Sequence, residues 1–549
     1  MEDSQKHNAD ISCQPPSALA RIFGDFLRRR ALACREVIEA VGLKIVTGRS
    51  NGNSFILLDD AEIEALKANS FLCEGNEAFF VLEGKRLYLA REHRNEIALA
   101  RAIAQRLKSA PPENKFSDEK IKSAFAKVNA NQFAAVKNCL SSNFSIITGG
   151  PGTGKTTIIA ALVSLEIERN PDIIISIAAP TGKAAELLTQ GLAKTPHPIA
   201  AQTVHTLFHA RRGTGQFGRN VQSPLECDLL IVDECSMLSL DVAAKMFNGL
   251  RPETRVVLSG DHRQLEAIGS GAVLSSLLTF SSDGSPEAAL LKGAGVELIE
   301  NHRAATAALI QELAKDIREE KLTDEEICRK VVSSSGNDYT FSSNKEFTPP
   351  VLKAAQKYWA ELPQIASEAT PERVARAFEV LNFFRVVTAA RHGKEGCEAL
   401  NAKILEALGI KSLHHPGSAL LITENSSRTG LANGDVGIVF EDKENESVKV
   451  FFQERPEPLT LHDLPAHESA FAMTVHKAQG SGFAEVFFPL PQKATPLLSR
   501  ELFYTALTRA AKMITINGTP EMVLAALNNK SARASTLAER ILEELKNEK

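Results

Sequence analysis

The chain has 549 residues, which is too long for a single hydrophobic core and predicts three or four domains. Its 63 basic and 67 acidic residues nearly cancel, which excludes a globally basic nucleic-acid binder and leaves a local groove as the path for any nucleic acid. A polar N-terminus, no apolar run of membrane-spanning length and eight cysteines without a CxxC pair argue against an exported, membrane or zinc-binding protein, so we expect a reduced, cytoplasmic location.

Residues 1–112 are expected to form a separate, small α+β domain. The segment "ALARIFGDFLRRRALACREVIEAV" has helical periodicity, and "AFFVLEGKRLYLA" indicates two strands around a turn at Glu83-Gly84. A further helix, "NEIALARAIAQRL", precedes a break at Pro111-Pro112. This stretch contains no catalytic pattern, and its composition fits any small α+β unit.

Residues 113–320 alternate between apolar strands and helical stretches. The apolar runs are "SIITG", "IIISIAAP", "DLLIVDE", "TRVVLSGD" and "GVELIE". Such alternation predicts a parallel sheet with helices on both faces. Residues 321–375 are charged and mostly helical, and we interpret them as a connector. A second α/β unit, 376–549, begins at "FFRVVTAAR" and is interrupted at about 415–465 by a turn-rich, strand-like insertion.

A glycine-rich loop lies between the first of these strands and a helix. Residues 149–156, "GGPGTGKT", fit the pattern G-x-x-x-x-G-K-[ST] at the place where it is expected. Glycines let backbone N–H groups turn towards phosphate oxygens, and the helix N-terminus adds positive potential. Lys155 would reach the β- and γ-phosphates, and the Thr156 hydroxyl would hold Mg²⁺. The loop predicts nucleoside triphosphate binding but not its purpose.

An acidic pair ends a later buried strand. The run "LLIV" is followed by Asp233 and Glu234. A carboxylate at this edge of a parallel sheet can hold the Mg²⁺ shell, and its neighbour can orient an attacking water. Asp233 is therefore the metal candidate together with Thr156, and Glu234 is the catalytic base candidate. Such a pair is often a solvated strand end when seen alone, but the upstream loop favours hydrolysis.

Three polar residues further along the chain suggest coupling between hydrolysis and movement. Gln264 in "LSGDHRQLEAIG" follows a strand and could sense the γ-phosphate, while Arg303 in "ELIENHRA" and Arg509 in "ELFYTALTRAAK" could neutralise it. An arginine from the opposite domain would make hydrolysis and domain closure one event. From spacing alone, a surface salt bridge is the commoner role for either arginine.

Nine segments occur in the order typical of superfamily-one helicases. They are "NANQFAAV", "GGPGTGKTT", "APTGKAAELL", "TVHTLFHA", "LLIVDECSM", "LSGDHRQL", "NHRA", "TVHKAQGS" and "LFYTALTRA". Within this superfamily the chain most resembles the RecD family, the α subunits of bacterial exodeoxyribonuclease V, which also share "LEGKRLYLAREHRNE" and "NGDVGIV". The likeness extends over about residues 75–515.

The resemblance implies a fold and a function. We expect two RecA-like motor domains that share one ATP with Mg²⁺, and an insertion similar to an SH3-like barrel. The implied activity is 5′-to-3′ translocation on single-stranded DNA, and helicase action at duplex ends, in double-strand break repair and recombination. The implied partners are RecB-like and RecC-like subunits that dock on the N-terminal domain. No nuclease carboxylate cluster is visible, so any exonuclease activity would belong to a partner.

The resemblance also assigns residues. Gln132 matches the glutamine that reads adenine, and the ATP-binding set comprises Gly149, Gly150, Pro151, Gly152, Thr153, Gly154, Lys155, Thr156 and Thr157. The expected single-strand path comprises Pro180, Thr181, Lys183, Thr203, His205, Thr474, His476 and Lys477. Hydroxyls and lysines at loop ends suit phosphate tracking without base readout. Read alone, either histidine is more typical of a packed structural residue.

Some positions depart from the family pattern, and several features have two interpretations. Ala478 and Gly482 replace a serine and a glutamate, which predicts a weaker ribose contact, and Glu424 stands where a basic residue is expected. The loop 209–223 is either a small hairpin at the duplex junction or a plain mobile loop, and Asn433 either touches the strand or only forms a turn. A standalone helicase, or a DNA-binding regulatory subunit with a vestigial ATPase, are the alternative functions.

Overall fold

The computed structural model describes residues 17–75, 78–125, 127–193, 195–211, 214–280, 284–300, 307–343, 348–426, 428–453, 455–531 and 533–547. The strands within these ranges form two parallel and two antiparallel sheets. This arrangement confirms the predicted class of two parallel α/β lobes, a small α+β domain and a β insertion. Among the described helices, none combines the length and apolar composition that a membrane crossing needs.

The N-terminal domain packs two helices against a short antiparallel sheet. Helix Ala18–Arg30 begins where the Ser17 hydroxyl accepts a hydrogen bond from the Ala20 amide at 3.1 Å, and helix Arg35–Ser50 packs along it. The sheet has the spatial order Phe55–Leu57, Arg86–Leu89 and Phe80–Glu83. The remaining elements are the helix Asp60–Lys67 and the 3₁₀ turn Ser70–Leu72. Helix Ala90–Lys108 follows in the chain, but its Leu99 and Ile103 are buried in the first lobe's core.

The first lobe is built on a six-stranded parallel sheet. Its spatial order is Gln202–Thr203, Ile175–Ala179, Leu229–Val232, Arg255–Gly260, Phe144–Gly149 and Gly295–Leu298. Three of these strands are buried throughout, because helices cover both faces of a parallel sheet. Its helices are Asp118–Ser123, Ala130–Leu140, Lys155–Arg169, Gly182–Leu192, Val204–Leu207, Leu240–Asn248, Val273–Leu278 and Pro286–Gly293, with a 3₁₀ turn at Cys235–Met237.

The second lobe repeats the plan with a five-stranded parallel sheet. Its spatial order is Tyr339–Ser343, Ala510–Gly518, Phe483–Pro489, Phe384–Thr388 and Ala472–Thr474. Its helices are Ala308–Glu319, Asp324–Ser333, Thr348–Trp359, Leu362–Ile365, Pro371–Phe383, Cys397–Ala407, Arg500–Leu507 and Pro520–Asn528.

The junction between the lobes differs from the sequence-based division at 320 and 375. Strand Tyr339–Ser343, inside the segment interpreted as a connector, is the edge strand of the second sheet. Helix Ala308–Glu319, assigned to the first motor domain, buries Leu313 and Ile317 in the second lobe's core. The edge strand is half-buried and serine-rich, so it lacks the apolar run that marks a central strand.

The insertion in the second lobe is a five-stranded antiparallel sheet. Its spatial order is Arg455–Thr460, Ser447–Phe452, Val436–Asp442, Ala419–Ile422 and His467–Ser469. Leu420 pairs with Gly437 on one side and with Ser469 on the other. Its apolar core includes Leu420, Val439 and Phe452. A 3₁₀ turn, Leu461–Asp463, lies between strand Arg455–Thr460 and strand His467–Ser469 in the chain.

The C-terminal helix, Leu537–Lys546, leaves the second lobe and packs against helix Ala90–Lys108 and the first lobe's core. Buried Glu96 fixes this contact. Its carboxylate accepts hydrogen bonds from the Ser54 and Ser535 hydroxyls, each at 2.7 Å, and from the Thr536 hydroxyl at 2.5 Å. The Arg540 guanidinium lies 3.3 Å away. The chain therefore returns to the first lobe after completing the second.

We expect Glu96→Ala to detach the C-terminal helix. Removing one member of a buried, charged network costs about 3–5 kcal/mol, because the remaining donors and Arg540 lose their acceptor. Hydrogen exchange should show lost amide protection in 537–546 and a lower melting temperature. Glu539→Ala is the matched control, because Glu539 pairs with Arg86 at the surface of the same helix. Equal protection in both variants would contradict the role of Glu96.

Candidate nucleotide and nucleic-acid site

The nucleotide loop, residues 149–156, links strand Phe144–Gly149 to helix Lys155–Arg169. Gly152 and Gly154 have φ values of +84° and +90°, which L side chains rarely adopt. The Thr153 hydroxyl donates to the Gly150 carbonyl at 2.8 Å. Lys155 Nζ donates to the Gly149 carbonyl at 2.7 Å and to that of Gly150 at 3.3 Å. The ammonium group is thus held over the loop, where a phosphate would compete for it.

The acidic pair lies at the end of the buried strand Leu229–Val232, which is separated from the nucleotide-loop strand by strand Arg255–Gly260. Asp233 is buried, and its Oδ1 accepts a hydrogen bond from the Ser259 hydroxyl at 2.6 Å. Glu234 has a φ of +53°, a strained value for a residue with a side chain. Burial, and next the charge of Asp233, raise the pKa of Glu234, while Lys155 and Arg509 oppose that shift. A raised pKa suits a carboxylate that accepts a proton.

Arg509 of the second lobe reaches the first lobe at Gln264. Its Nη2 donates to Gln264 Oε1 at 3.1 Å, and its Nε and Nη1 donate to the carbonyls of Thr505 and Ser481 at 3.2 and 3.0 Å. Gln264 Nε2 in turn donates to Asp261 Oδ2 at 3.2 Å. The structure thus brings Arg509 and Gln264 together, and Gln264 connects Arg509 to Asp261, which follows strand Arg255–Gly260 of the first lobe.

Further hydrogen bonds cross between the lobes in the same region. The Tyr504 hydroxyl donates to Asp261 Oδ2 at 3.0 Å, and the Leu265 amide donates to the Thr505 hydroxyl at 2.8 Å. Gln479 Nε2 donates to the Leu265 carbonyl at 2.5 Å. Sequence reasoning missed these residues, although they lie in the segments "LSGDHRQL", "TVHKAQGS" and "LFYTALTRA". Because they lie within these motif segments, close in sequence to the candidate residues, the sequence could have indicated them.

Gln132 lies beside the nucleotide loop, at the first turn of helix Ala130–Leu140. The backbone amide of Gln132 donates to Asn129 Oδ1 at 2.8 Å, and Gln132 Oε1 accepts from the backbone amide of Asn129 at 3.3 Å. The two hydrogen bonds form a capping box. Gln132 Nε2 donates to the Thr153 carbonyl at 3.1 Å. The side chain therefore supports the loop, and adenine recognition remains a prediction.

Arg303 lies outside the described residues, and the Thr157 side chain is exposed.

The candidate strand-binding residues of the first lobe lie at the starts of two helices. Thr181 caps helix Gly182–Leu192, where its hydroxyl accepts from the Ala184 amide at 3.3 Å; Pro180 precedes it. Lys183 Nζ pairs with Glu186 at 2.6 Å. In the next loop, Thr203 caps helix Val204–Leu207.

His205 follows Thr203 and packs edge-on against Phe217, with ring centroids 5.7 Å apart. Partial burial, and then the charge of Lys245, lower the pKa of His205. Phe217 also stacks on Phe208, and an antiparallel bridge joins Ala210 to Phe217. The described part of the loop 209–223 is thus a small hairpin anchored by aromatic packing. Its position relative to a DNA junction stays a prediction.

The segment "TVHKAQG" of the second lobe lies near the start of helix Gly182–Leu192. The Thr474 hydroxyl accepts from the Lys477 amide at 3.3 Å, and Lys477 Nζ pairs with Glu468 at 2.5 Å. Burial, with a smaller effect of Arg533, lowers the pKa of His476. A Cβ on Gly480 would lie 3.3 Å from Thr181 Oγ1. The segment that carries the second set of candidate residues therefore approaches Thr181 of the first set, at Gly480.

The insertion also reaches this junction. A Cβ on Gly182 would lie 3.3 Å from the Ala432 Cβ and 3.6 Å from Asp435 Oδ1, so the turn at 432–435 lies against the start of the helix. The Asn433 amide donates to Asn425 Oδ1 at 2.7 Å, and its side chain is exposed. Ala478 is fully buried, a site that accepts a small side chain. Glu424 is exposed.

Comparisons with known proteins agree with this arrangement. The family described as an AAA domain matches residues 132–270, and the UvrD-like helicase C-terminal domain matches 469–516. The "RecBCD enzyme subunit RecD" of Haemophilus influenzae is 32% identical over 75% of this chain and 72% of its own length. Its namesake in Mycolicibacterium smegmatis is 31% identical over 88% and 86%. The "ATP-dependent RecD2 DNA helicase" of Deinococcus radiodurans is 27% identical over 83% of this chain and 58% of its own. The chain belongs to the RecD family of superfamily-one helicases.

Proposed function

We propose that this chain is an ATP-dependent, 5′-to-3′ single-strand DNA translocase and helicase subunit of an exodeoxyribonuclease V complex in double-strand break repair and recombination. The hydrogen bond between Arg509 and Gln264 carries the proposal, because it connects the second lobe to the nucleotide site of the first. The names of the relatives support membership of a RecBCD-type complex. The complete acidic pair and nucleotide loop argue against a vestigial ATPase.

The nucleotide site accounts for hydrolysis. Lys155 would exchange its loop carbonyls for the β- and γ-phosphates of ATP, and Arg509 would neutralise charge that develops on the γ-phosphate. Glu234, with its raised pKa, would accept the proton of the attacking water. Thr156 and Asp233 offer hydroxyl and carboxylate oxygens, which Mg²⁺ prefers, and the ion would withdraw charge from the phosphates.

The junction of the lobes accounts for movement. ATP draws the second lobe against the first through Arg509, and loss of the γ-phosphate removes that attraction. The helix starting at Gly182 and the segment "TVHKAQG" lie on opposite lobes and would hold neighbouring stretches of one DNA strand. Cycles of closure and opening therefore shift the strand between two grips. The 5′-to-3′ direction follows from the resemblance to the family.

The N-terminal domain, within residues 1–112, is proposed to dock RecB-like or RecC-like subunits. Leu19, Ile22 and Phe26 are 62%, 67% and 36% exposed and lie on one face of helix Ala18–Arg30. An exposed apolar face of this kind is typical of a surface covered by a partner. Such a face favours a complex subunit over a standalone helicase.

Lys155→Gln should abolish DNA-stimulated ATP hydrolysis and leave single-strand binding measurable, because the substitution removes the cation that the phosphates require. A coupled phosphate-release assay and fluorescence anisotropy with a labelled oligonucleotide would measure the two activities. Lys120→Gln is the control, because Lys120 pairs with Glu168 at the surface of the same lobe. Full turnover by Lys155→Gln would refute the assignment of the site.

Single-strand binding should weaken steeply with salt, because each phosphate contact releases counterions. We expect Lys477→Ala to lower affinity for all sequences alike and to reduce the slope of log K against log salt by about one. Lys443→Ala, in an exposed turn of the insertion, should leave both quantities unchanged. A salt-independent affinity for the unaltered chain would exclude the proposed groove.

Ile22→Glu should prevent co-purification with RecB-like and RecC-like subunits, since a buried charge at an apolar interface costs several kcal/mol. The ATPase of the isolated chain should not change, because the residue lies far from the nucleotide loop in sequence and belongs to another domain. Arg21→Ala, on an adjacent exposed position of the same helix, is the control. Normal complex formation by Ile22→Glu would place the docking surface elsewhere.

A further inference from the structure

A second arginine of the second lobe lies against the nucleotide loop. Arg318 occupies the last turn of helix Ala308–Glu319, whose Leu313 and Ile317 are buried in the second lobe's core. A Cβ on Gly150 would lie 3.7 Å from Arg318 Nη1. The guanidinium group therefore lies beside the loop at Gly150, whereas Arg509 contacts Gln264. Neither the sequence motifs nor the function described above assigns a role to Arg318.

The surroundings of Arg318 leave its charge weakly paired. The side chain is only 11% exposed, and its nearest recorded carboxylate oxygen is that of Glu319, 3.7 Å from Nη2. Among the described residues its buried Nε has no hydrogen-bond partner. A buried guanidinium N–H without an acceptor is costly unless an added anion accepts its hydrogen bond.

Neighbouring groups keep Arg318 at the loop. Its backbone carbonyl accepts a hydrogen bond from the Arg263 guanidinium of the first lobe. The Tyr504 hydroxyl would lie 3.1 Å from the same Cβ on Gly150, and it donates to Asp261. Asp261 also accepts hydrogen bonds from the Gln264 side chain and from the Arg263 backbone amide, so both oxygens of this carboxylate already have donors. Glycine at position 150 leaves room for the Tyr504 hydroxyl, because the Cβ of any other residue would lie within 3.1 Å of it.

We propose that Arg318 binds the γ-phosphate of ATP from the second lobe and thereby distinguishes ATP from ADP. This inference rests on the proposed function. A triphosphate extends one charged group beyond the diphosphate, and the planar guanidinium can bind two of its oxygens at once. The γ-phosphate would add acceptors beside a guanidinium whose Nε has none among the described residues. Arg318 would then draw helix Ala308–Glu319 onto the nucleotide loop, which couples the second lobe's core directly to nucleotide state.

A purely structural role is the competing explanation. An arginine in the last turn of a helix is favoured by the helix dipole, whatever the nucleotide. Such a role affects stability but not the preference for triphosphate over diphosphate. Binding of ATP analogues relative to ADP therefore separates the two roles.

The test compares Arg318→Ala, Arg318→Gln and Arg318→Lys with Lys315→Ala, an exposed position of the same helix. Equilibrium binding of fluorescent ADP and of a fluorescent, non-hydrolysable ATP analogue is measured for each, with DNA-stimulated kcat and KM. Arg318→Ala and Arg318→Gln should lose about tenfold or more in affinity for the analogue, with ADP affinity unchanged, and should lower kcat. Arg318→Lys should restore part of the preference, because it keeps the charge but not the planar fork.

Equal losses for ADP and the analogue, or affinities like those of Lys315→Ala, would overturn the proposal. If Arg318→Ala does not fold, as judged by its melting curve, the glutamine and lysine variants decide by the same comparison. If the unaltered chain fails to hydrolyse ATP, the proposed function itself is wrong. If it hydrolyses ATP while all Arg318 variants keep its nucleotide preference, this inference alone is wrong.

Discussion

The structure depends on one charged contact between the two lobes. The Arg509 guanidinium is 5% exposed and is held by Gln264 of the first lobe and by two carbonyls of its own lobe. A guanidinium buried in this way needs its acceptors, so separation of the lobes exposes it or leaves it unsatisfied. Because Gln264 also donates to Asp261, the contact connects Arg509 to the end of strand Arg255–Gly260, the direct neighbour of the nucleotide-loop strand.

Acidic and basic groups cluster around this contact. Burial raises the pKa of Glu234 most, the charges of Asp233 and Asp261 raise it further, and those of Lys155 and Arg509 lower it. A bound triphosphate would add negative charge to this cluster, and the phosphates would attract the nearby cations Lys155 and Arg509. The chain as a whole is almost neutral, so its binding of polyanions depends on such local concentrations of charge.

The end of the chain adds a second connection between the lobes. Arg533, beyond the last helix of the second lobe, donates to the carbonyls of Ala267 and Gly269 at 2.8 and 3.0 Å. The loop that follows Gln264 is therefore held by a segment leading from the second lobe to the C-terminal helix on the first.

The sequence alone determined the features that depend on local pattern. Glycines followed by Lys-Thr mark the nucleotide loop, fully apolar runs mark the central strands, and an acidic pair marks the end of strand Leu229–Val232, because each signal lies within a few residues. Only the tertiary structure decided the edge strand Tyr339–Ser343, the place of helix Ala308–Glu319, the return of the C-terminal helix and the approach of Arg318 and Tyr504 to Gly150. Those features arise from packing between residues far apart in the chain. Half-buried strands and long polar side chains leave no periodic trace that would reveal such partners.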